Sequence, residues 1–279
     1  MSLTITLLGT GSPMPSPDRA GPATLISAGE GTGAEHYLVD AGRGVLMRLA
    51  ARGLGAGNLS ALLITHLHSD HISDLGDVIT TRWVMSPMPR PLTIVGPVGT
   101  RQVVDHTLAS LAPDIGYRIH HHHDLDEGPA VEVREVNPGD TFTVGAATVT
   151  VGATDHRPVE PTVAFRIETG RRSAVLGGDG VPCAGLDELC RGADAYVQTV
   201  IREDLVRLVP NARFRDILDY HSTVEQAAQT AAAAGVGTLV LTHYVPAMQA
   251  GQEDDWRSLA AAHFAGPFVL GDDLTTVEL

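Results

Sequence analysis

The sequence predicts an α/β fold built from two mixed β-sheets flanked by helices. Strand-like runs of alternating or β-branched residues recur along the whole chain, and segments of helical periodicity lie between them. The apolar fraction of 43% allows a large core, and an aromatic content of only 4% leaves Ala, Val, Leu and Gly to build it, which suits closely packed layers. No long Pro/Ser-rich linker interrupts the 279 residues, so 1–279 reads as a single domain.

Taken in order, strands are predicted at 3–8, 23–27, 37–40, 61–65, 92–95, 131–136, 147–151, 163–168, 174–176, 196–201 and 238–242, bounded by Gly or polar turns. Helical periodicity is clearest over 45–54, 71–84, 101–111, 223–234 and 256–264. Hairpin-like neighbours and strand–helix units are mixed, which is why two sheets are expected. The run His120-His121-His122-His123 lies between a strand and an acidic loop and reads as a solvated loop instead of a ligand set.

Charge restricts the partners. Nineteen basic residues face 33 acidic ones, a formal net charge of −14, whereas proteins that grip long nucleic acid do so through clustered Lys and Arg. Tight binding of long nucleic acid is therefore not expected, and an anionic substrate has to be drawn in by the site itself. No apolar run reaches the ~20 residues of a membrane span. Residues 1–9 alternate like a strand and lack a basic leader with a small-residue cleavage site, so a cytoplasmic protein without a membrane partner is expected. Cys183 and Cys190 have no metal-site spacing to a partner and are expected to stay reduced.

The most informative stretch is Leu62-Leu63-Ile64-Thr65-His66-Leu67-His68-Ser69-Asp70-His71, an apolar run that ends in four potential ligands within six residues. Burying so many polar rings without partners would be costly, whereas at a strand end they can converge on cations. His66 and His68, two apart on an extended segment, point to one side; Asp70 and His71 begin a helix and can face a second ion. Two metals need more donors, and these recur at later strand ends: His156 after 149–151, Asp179 after 175–176 between glycines, and His243 after 239–241. Singly, each is more often a turn residue; together with the first cluster they form a complete set of the imidazole and carboxylate donors that zinc prefers.

The motif HLHSDH, followed in order by His156, Asp179 and His243, resembles the metallo-β-lactamase superfamily over nearly the whole chain. The resemblance implies the four-layer αβ/βα sandwich of that fold and a pair of zinc ions. It places His66, His68 and His156 on the first ion and Asp70, His71 and His243 on the second, with Asp179 bridging. Mixed His/Asp sites also accept manganese, iron or cobalt. Cations held about 4 Å apart can turn a shared water into hydroxide near neutral pH.

Leu8-Gly9-Thr10-Gly11-Ser12-Pro13, Asp155-His156-Arg157-Pro158, Tyr220-His221-Ser222-Thr223 and Leu241-Thr242-His243-Tyr244 resemble the ribonuclease Z and arylsulfatase-like branch, most closely actinobacterial ribonuclease Z-like phosphodiesterases. Ser222 and Glu225 form a capping-box pattern that places His221 just before a helix running to Gly235. The resemblance makes His221 the general acid that protonates the leaving oxygen, and Asp70 the group that orients the nucleophile and takes its proton. It also implies a homodimer. Arg19, in the opening loop, offers a weaker anion clamp.

Several departures narrow the expected substrate. Ribonuclease Z inserts a long arm that grasps tRNA between the positions of His156 and Asp179, but only 22 residues separate them here, so no such arm fits. Gly178-Asp179-Gly180 stands where the branch has Gly-Asp-Thr. Gln198-Thr199-Val200-Ile201 stands where it has His-Glu-Ala-Thr, which removes the glutamate that would orient His221. The opening loop, 13–22, lacks the Thr-rich Arg-Asn sequence of tRNA-processing members. The expectation is a hydrolase of small phosphodiesters or short RNA ends. An arylsulfatase is the nearest alternative; a lactonase, which leaves His221 without a duty, and a non-catalytic metal-bound binding module follow.

Overall fold

The structure is a computed structural model that describes residues 2–86 and 90–279. One sheet comprises β1 (Leu3–Gly9), β2 (Ala23–Ala28), β3 (Glu35–Val39), β4 (Leu59–Leu63), β5 (Leu92–Gly96), β6 (Val131–Glu135) and β14 (Thr276–Glu278), in the spatial order β14-β1-β2-β3-β4-β5-β6. Pairing is antiparallel from β14 to β3 and parallel from β3 to β6. The second sheet comprises β7 (Thr141–Val144), β8 (Ala147–Ala153), β9 (Val163–Thr169), β10 (Arg172–Leu176), β11 (Ala195–Ile201), β12 (Thr238–Val245) and β13 (Phe268–Leu270), in consecutive spatial order. It is antiparallel from β7 to β10 and parallel from β10 to β13.

The period of two along each strand decides which face each side chain serves. Leu3, Ile5 and Leu7 of β1, with Tyr37 and Val39 of β3, meet Phe165, Ile167 and Leu176 of the opposite sheet. The intervening Leu25, Leu38 and Leu62 point outward onto α1 (Val45–Ala51), α3 (Leu75–Met85) and α4 (Thr100–Ser110). On the other side, Tyr196, Leu239 and Leu241 pack under α6 (Ala184–Cys190), α9 (Val224–Ala234) and α10 (Glu253–Ala261). Helices, sheet, sheet and helices make the four-layer αβ/βα sandwich that the resemblance implies. Among the described residues no helix is long and apolar enough to cross a membrane.

The remaining helices carry differences from the sequence reading. The helix predicted over 71–84 is divided into α2 (Ser69–Ile72) and α3. Asp74 causes the break: its carboxylate accepts from Gly44 N at 2.7 Å and its own amide donates to Ala41 O, pulling the chain toward the loop after β3. His120 and His121 close a helix, α5 (Ala112–His121), where a loop is expected; all four histidines of the run are nevertheless exposed. Pro113 is compatible with that helix because it sits in the first turn, where its missing N–H has no intrahelical partner to lose. The capping box of α9 is formed by Thr223 and Gln226, one residue later than Ser222 and Glu225; Ser222 instead donates to Gly180 O at 2.7 Å. Two short helices, α7 (Glu203–Leu208) and α8 (Ala212–Arg215), follow β11 and carry no sustained apolar period.

Ile5 is fully buried between the sheets. Replacing it with Ala should lower the unfolding free energy by about 2–5 kcal/mol in denaturant titration, and a loss well under about 1 kcal/mol would contradict the inter-sheet core.

Candidate metal centre

Both sheets end at one place. After β4 the chain leaves the sheet at Ile64 and delivers Thr65, His66 and His68, with Asp70 and His71 following in α2. From the second sheet come His156 just beyond β8, Asp179 just beyond β10, and His243 near the end of β12. His243 has φ 53°, a left-handed conformation unusual for a non-glycine, close to where the β11–β12 register shifts. All seven side chains that the sequence singles out are brought together. The donor atoms of His66, His68, His156 and Asp179 lie within 4.8 Å of one another, as do those of Asp70, His71 and His243.

Asp179 joins the two groups. Its Oδ2 is 3.7 Å from His66 Nε2 and 4.0 Å from His156 Nε2 on one side, and 3.4 Å from His71 Nε2 and 3.7 Å from His243 Nε2 on the other. Asp70 Oδ2 closes the second group at 3.3 Å from His243 Nε2 and 3.6 Å from His71 Nε2.

Tautomers follow from the hydrogen bonds on the far side of each ring. The Thr65 hydroxyl faces both oxygens of the Asp40 carboxylate at 3.1 and 2.9 Å; it must donate there, so at 3.0 Å it accepts from His66 Nδ1–H. His71 Nδ1 donates to Asp40 Oδ2 at 2.8 Å, and His156 Nδ1 donates to Tyr220 O at 2.8 Å. Each bond turns an Nε2 toward the same buried space. There His66 Nε2 and His156 Nε2 stand 3.0 and 3.3 Å from His68 Nδ1, close to the ligand spacing of about 3.3 Å set by a tetrahedron of ~2.0–2.1 Å Zn–N bonds. His71 Nε2 and Asp179 Oδ1 are buried and make no hydrogen bond. Converging lone pairs and unpartnered buried atoms fit a pair of divalent cations, and the clusters fit a dinuclear metal site.

Electrostatics divides the rings. Burial holds His66 well below the ordinary histidine value, with His71 adding to the effect, and lowers His156 to about 4 against the pull of Asp179. Burial would lower His71 and His243 too, but the Asp179 carboxylate, helped by Asp40 at His71 and by Asp70 at His243, raises both. Burial raises Asp179, and His243, His71 and His221 overcome it, leaving the carboxylate well below its usual range. The two donor groups thus differ in balance: the Asp179 carboxylate favours the charged form of His71 and His243, whereas burial favours the neutral form of His66 and His156.

His221 lies at the same centre, with Nε2 3.2 Å from Asp179 Oδ2 and Nδ1 donating to Ile217 O at 3.1 Å. A main-chain carbonyl thus holds the His221 ring, with no glutamate in the 198–201 segment to do so. Gln198 and Thr199, in the glutamate's segment, donate to Gly178 O and brace the loop that carries Asp179. At position 180 a Cβ would run into Thr154 Oγ1, whose hydroxyl donates to Asp179 O at 3.4 Å and fills the room a threonine would need. Arg19 lies away from the donor set: its guanidinium donates to Thr10 Oγ1 and Asp272 Oδ1 at 2.6 and 2.7 Å and stacks over Tyr244. The exposed His120–His123 run stays outside both metal groups.

Asp40 is absent from the sequence-derived set. It is a buried carboxylate with φ 62° at the end of β3, and it orients His71 directly and His66 through Thr65. Its sequence signal, a carboxylate closing an apolar strand before Ala41-Gly42, is of the kind that points to Asp179. Asp40→Asn replaces an acceptor of His71 Nδ1–H with an amide, and should weaken binding of the ion held by Asp70, His71 and His243 about 10- to 100-fold in chelator competition. Unchanged affinity would remove Asp40 from the centre.

Comparison with known proteins bears on the same geometry. Residues 35–244 match the family described as Beta-lactamase superfamily domain. Ribonuclease Z of Mycolicibacterium paratuberculosis is 59% identical over 277 residues, covering 99% of this chain and 98% of that protein, and ribonuclease Z of Mycobacterium tuberculosis is 55% identical over 279 residues, with coverage of 99% and 98%. Human tRNase Z, short form, superposes with a TM-score of 0.70 at 25% identity over 98% of both chains. The metallo-beta-lactamase fold protein YhfI from Bacillus subtilis shares the fold with a TM-score of 0.75 at 23% identity over 99% of both. The chain belongs to the β-lactamase superfamily and, within it, to the ribonuclease Z family.

Proposed function

We propose that the protein is a dinuclear metal-dependent phosphodiester hydrolase of the ribonuclease Z type, acting on short RNA ends or small phosphodiesters. The observation that carries this is Asp179, one buried carboxylate within 4.0 Å of imidazole nitrogens from both donor groups. His66, His68 and His156 would hold one cation, Asp70, His71 and His243 the other, and Asp179 both. When bound, two divalent cations supply Lewis acidity toward a phosphoryl oxygen and lower the pKa of water between them.

The chain's own groups do the rest. Asp70 is held below its usual carboxylate range, burial being outweighed by the His243 hydrogen bond, so it stays ionised and able to orient water and accept its proton. His221 keeps Nδ1 on the Ile217 carbonyl, which leaves Nε2 as the atom that gives a proton to a departing alkoxide. Zinc as the resident ion is supported by the donor set, and a homodimer by family likeness alone. Relatives named ribonuclease Z favour a phosphodiester over the sulfate ester of an arylsulfatase. Residues 157–178 are occupied mainly by β9 and β10, with no inserted arm, which supports short substrates over a whole tRNA body.

His221→Ala should slow hydrolysis of a dinucleoside monophosphate, whose leaving alkoxide needs a proton, by roughly 10²- to 10⁴-fold while slowing bis-p-nitrophenyl phosphate only a few-fold. Equal losses on the two substrates would deny His221 the acid role.

A further inference from the structure

A cavity of about 250 Å³ opens beside the metal centre, with His221 and His243 in its lining. Its apolar walls are Met14, from the loop after β1, Phe214 of α8, Ile217 just beyond it, and Val245 at the end of β12. Behind this wall Phe214, Ile217 and Val245 pack on the buried Ile201 and Val206, so the aromatic face is held by a small core of its own. Arg213 lines the same cavity, and among the described residues its side chain takes part in no hydrogen bond or ion pair. The chain contains no lysine, so arginine is its sole permanently cationic side chain for meeting a substrate.

We propose that this cavity is the subsite for the nucleobase on the leaving-group side of the scissile phosphodiester, an assignment that rests on the hydrolase function above. The group that protonates a leaving oxygen must touch it, so whatever is bonded to that oxygen extends into the space that His221 borders. That space is too small for a helical nucleic acid and of a size for one flat ring. Phe214 offers a stacking face, Met14 a polarisable thioether, and Arg213 planar donors for a base edge or an adjoining phosphate. Ile217 couples the two regions: its carbonyl accepts from His221 Nδ1 while its side chain lines the cavity. A base seated there packs on the segment that orients the acid.

The test compares, on the metal-loaded full chain, a dinucleoside monophosphate with the same compound lacking the base on its leaving-group ribose. Base stacking should give the intact substrate roughly a 5- to 150-fold advantage in kcat/KM. Phe214→Ala should bring that ratio near one, and Phe214→Tyr should keep it. In protein labelled at the methionine methyls, adenosine should move the Met14 resonance upfield, and a phenyl riboside should do so less. No base preference in the unaltered protein, with the abasic compound still hydrolysed, overturns the subsite and leaves the hydrolase standing. Adenosine moving Met14 while neither ester is cleaved retires the hydrolase function and keeps a base-binding cavity. Equal responses to the phenyl riboside and adenosine overturn the nucleobase in favour of any aryl group.

Discussion

One buried carboxylate oxygen, Asp179 Oδ2, faces the Nε2 atoms of His66, His71, His156, His221 and His243 at 3.2 to 4.0 Å. An ionised carboxylate taken out of water has to be compensated by positive charge, and here the compensation comes from strands of both sheets. Without Asp179 the two donor groups, each drawn from both sheets, would lack the one carboxylate that faces them both. With it, the gap between the sheets becomes a single electrostatic unit suited to two cations. The order of the strands, the splitting of the helix at Asp74 and the left-handed turns at Asp40 and His243 all serve to bring donors to that point.

The backbone around the carboxylate leaves little room for alternatives. Gly178 has φ 65°, and a Cβ there would stand 2.9 Å from Thr65 Cβ; one at Gly177 would collide with the Gln198 amide. Asp179 is thereby pressed against the segment that carries His66 and braced by Gln198 and Thr199. Strained positions at Asp40 and His243 cost about 1–3 kcal/mol each and persist only where surrounding packing over-determines them. Asp40 shows how: its carboxylate holds the Thr65 amide, the Thr65 hydroxyl and His71 Nδ1 at once. The geometry of the donors is thus built into the folded chain.

Much of this was legible in the sequence because the chemistry is dense and local. Four donors within six residues at the end of an apolar strand cannot easily serve a core, and period-two alternation fixes both faces of β1, β3 and β4. The seven donors, His221 and the two-sheet architecture follow from such patterns and from family likeness. What escaped did so for physical reasons. Asp40 looks like one more strand residue until its backbone is seen to leave the sheet. α5 is masked by Pro113 and a histidine run, and β13 and β14 are three residues each, too short for an alternation to declare itself. The partner of His221 Nδ1 is a main-chain carbonyl, Ile217 O, which no side-chain motif can reveal. Arg19 carries the right charge in the right loop, but long-range partners, Asp272 and Tyr244, decide where it points.

An acidic chain that acts on a phosphodiester must concentrate positive charge at the point of reaction, and a pair of cations held by the two donor groups would do so without a basic surface. An apolar recess lined by Met14, Phe214, Ile217 and Val245 borders His221 and His243. The direct measurement of this account is metal content per chain after exhaustive dialysis, for the unaltered protein and for Asp179→Asn, which keeps the shape and removes the charge. Two equivalents retained in the first and no more than one in the second is the predicted result. Two equivalents in both, or fewer than two in the unaltered protein, would contradict the bridging role on which the rest depends.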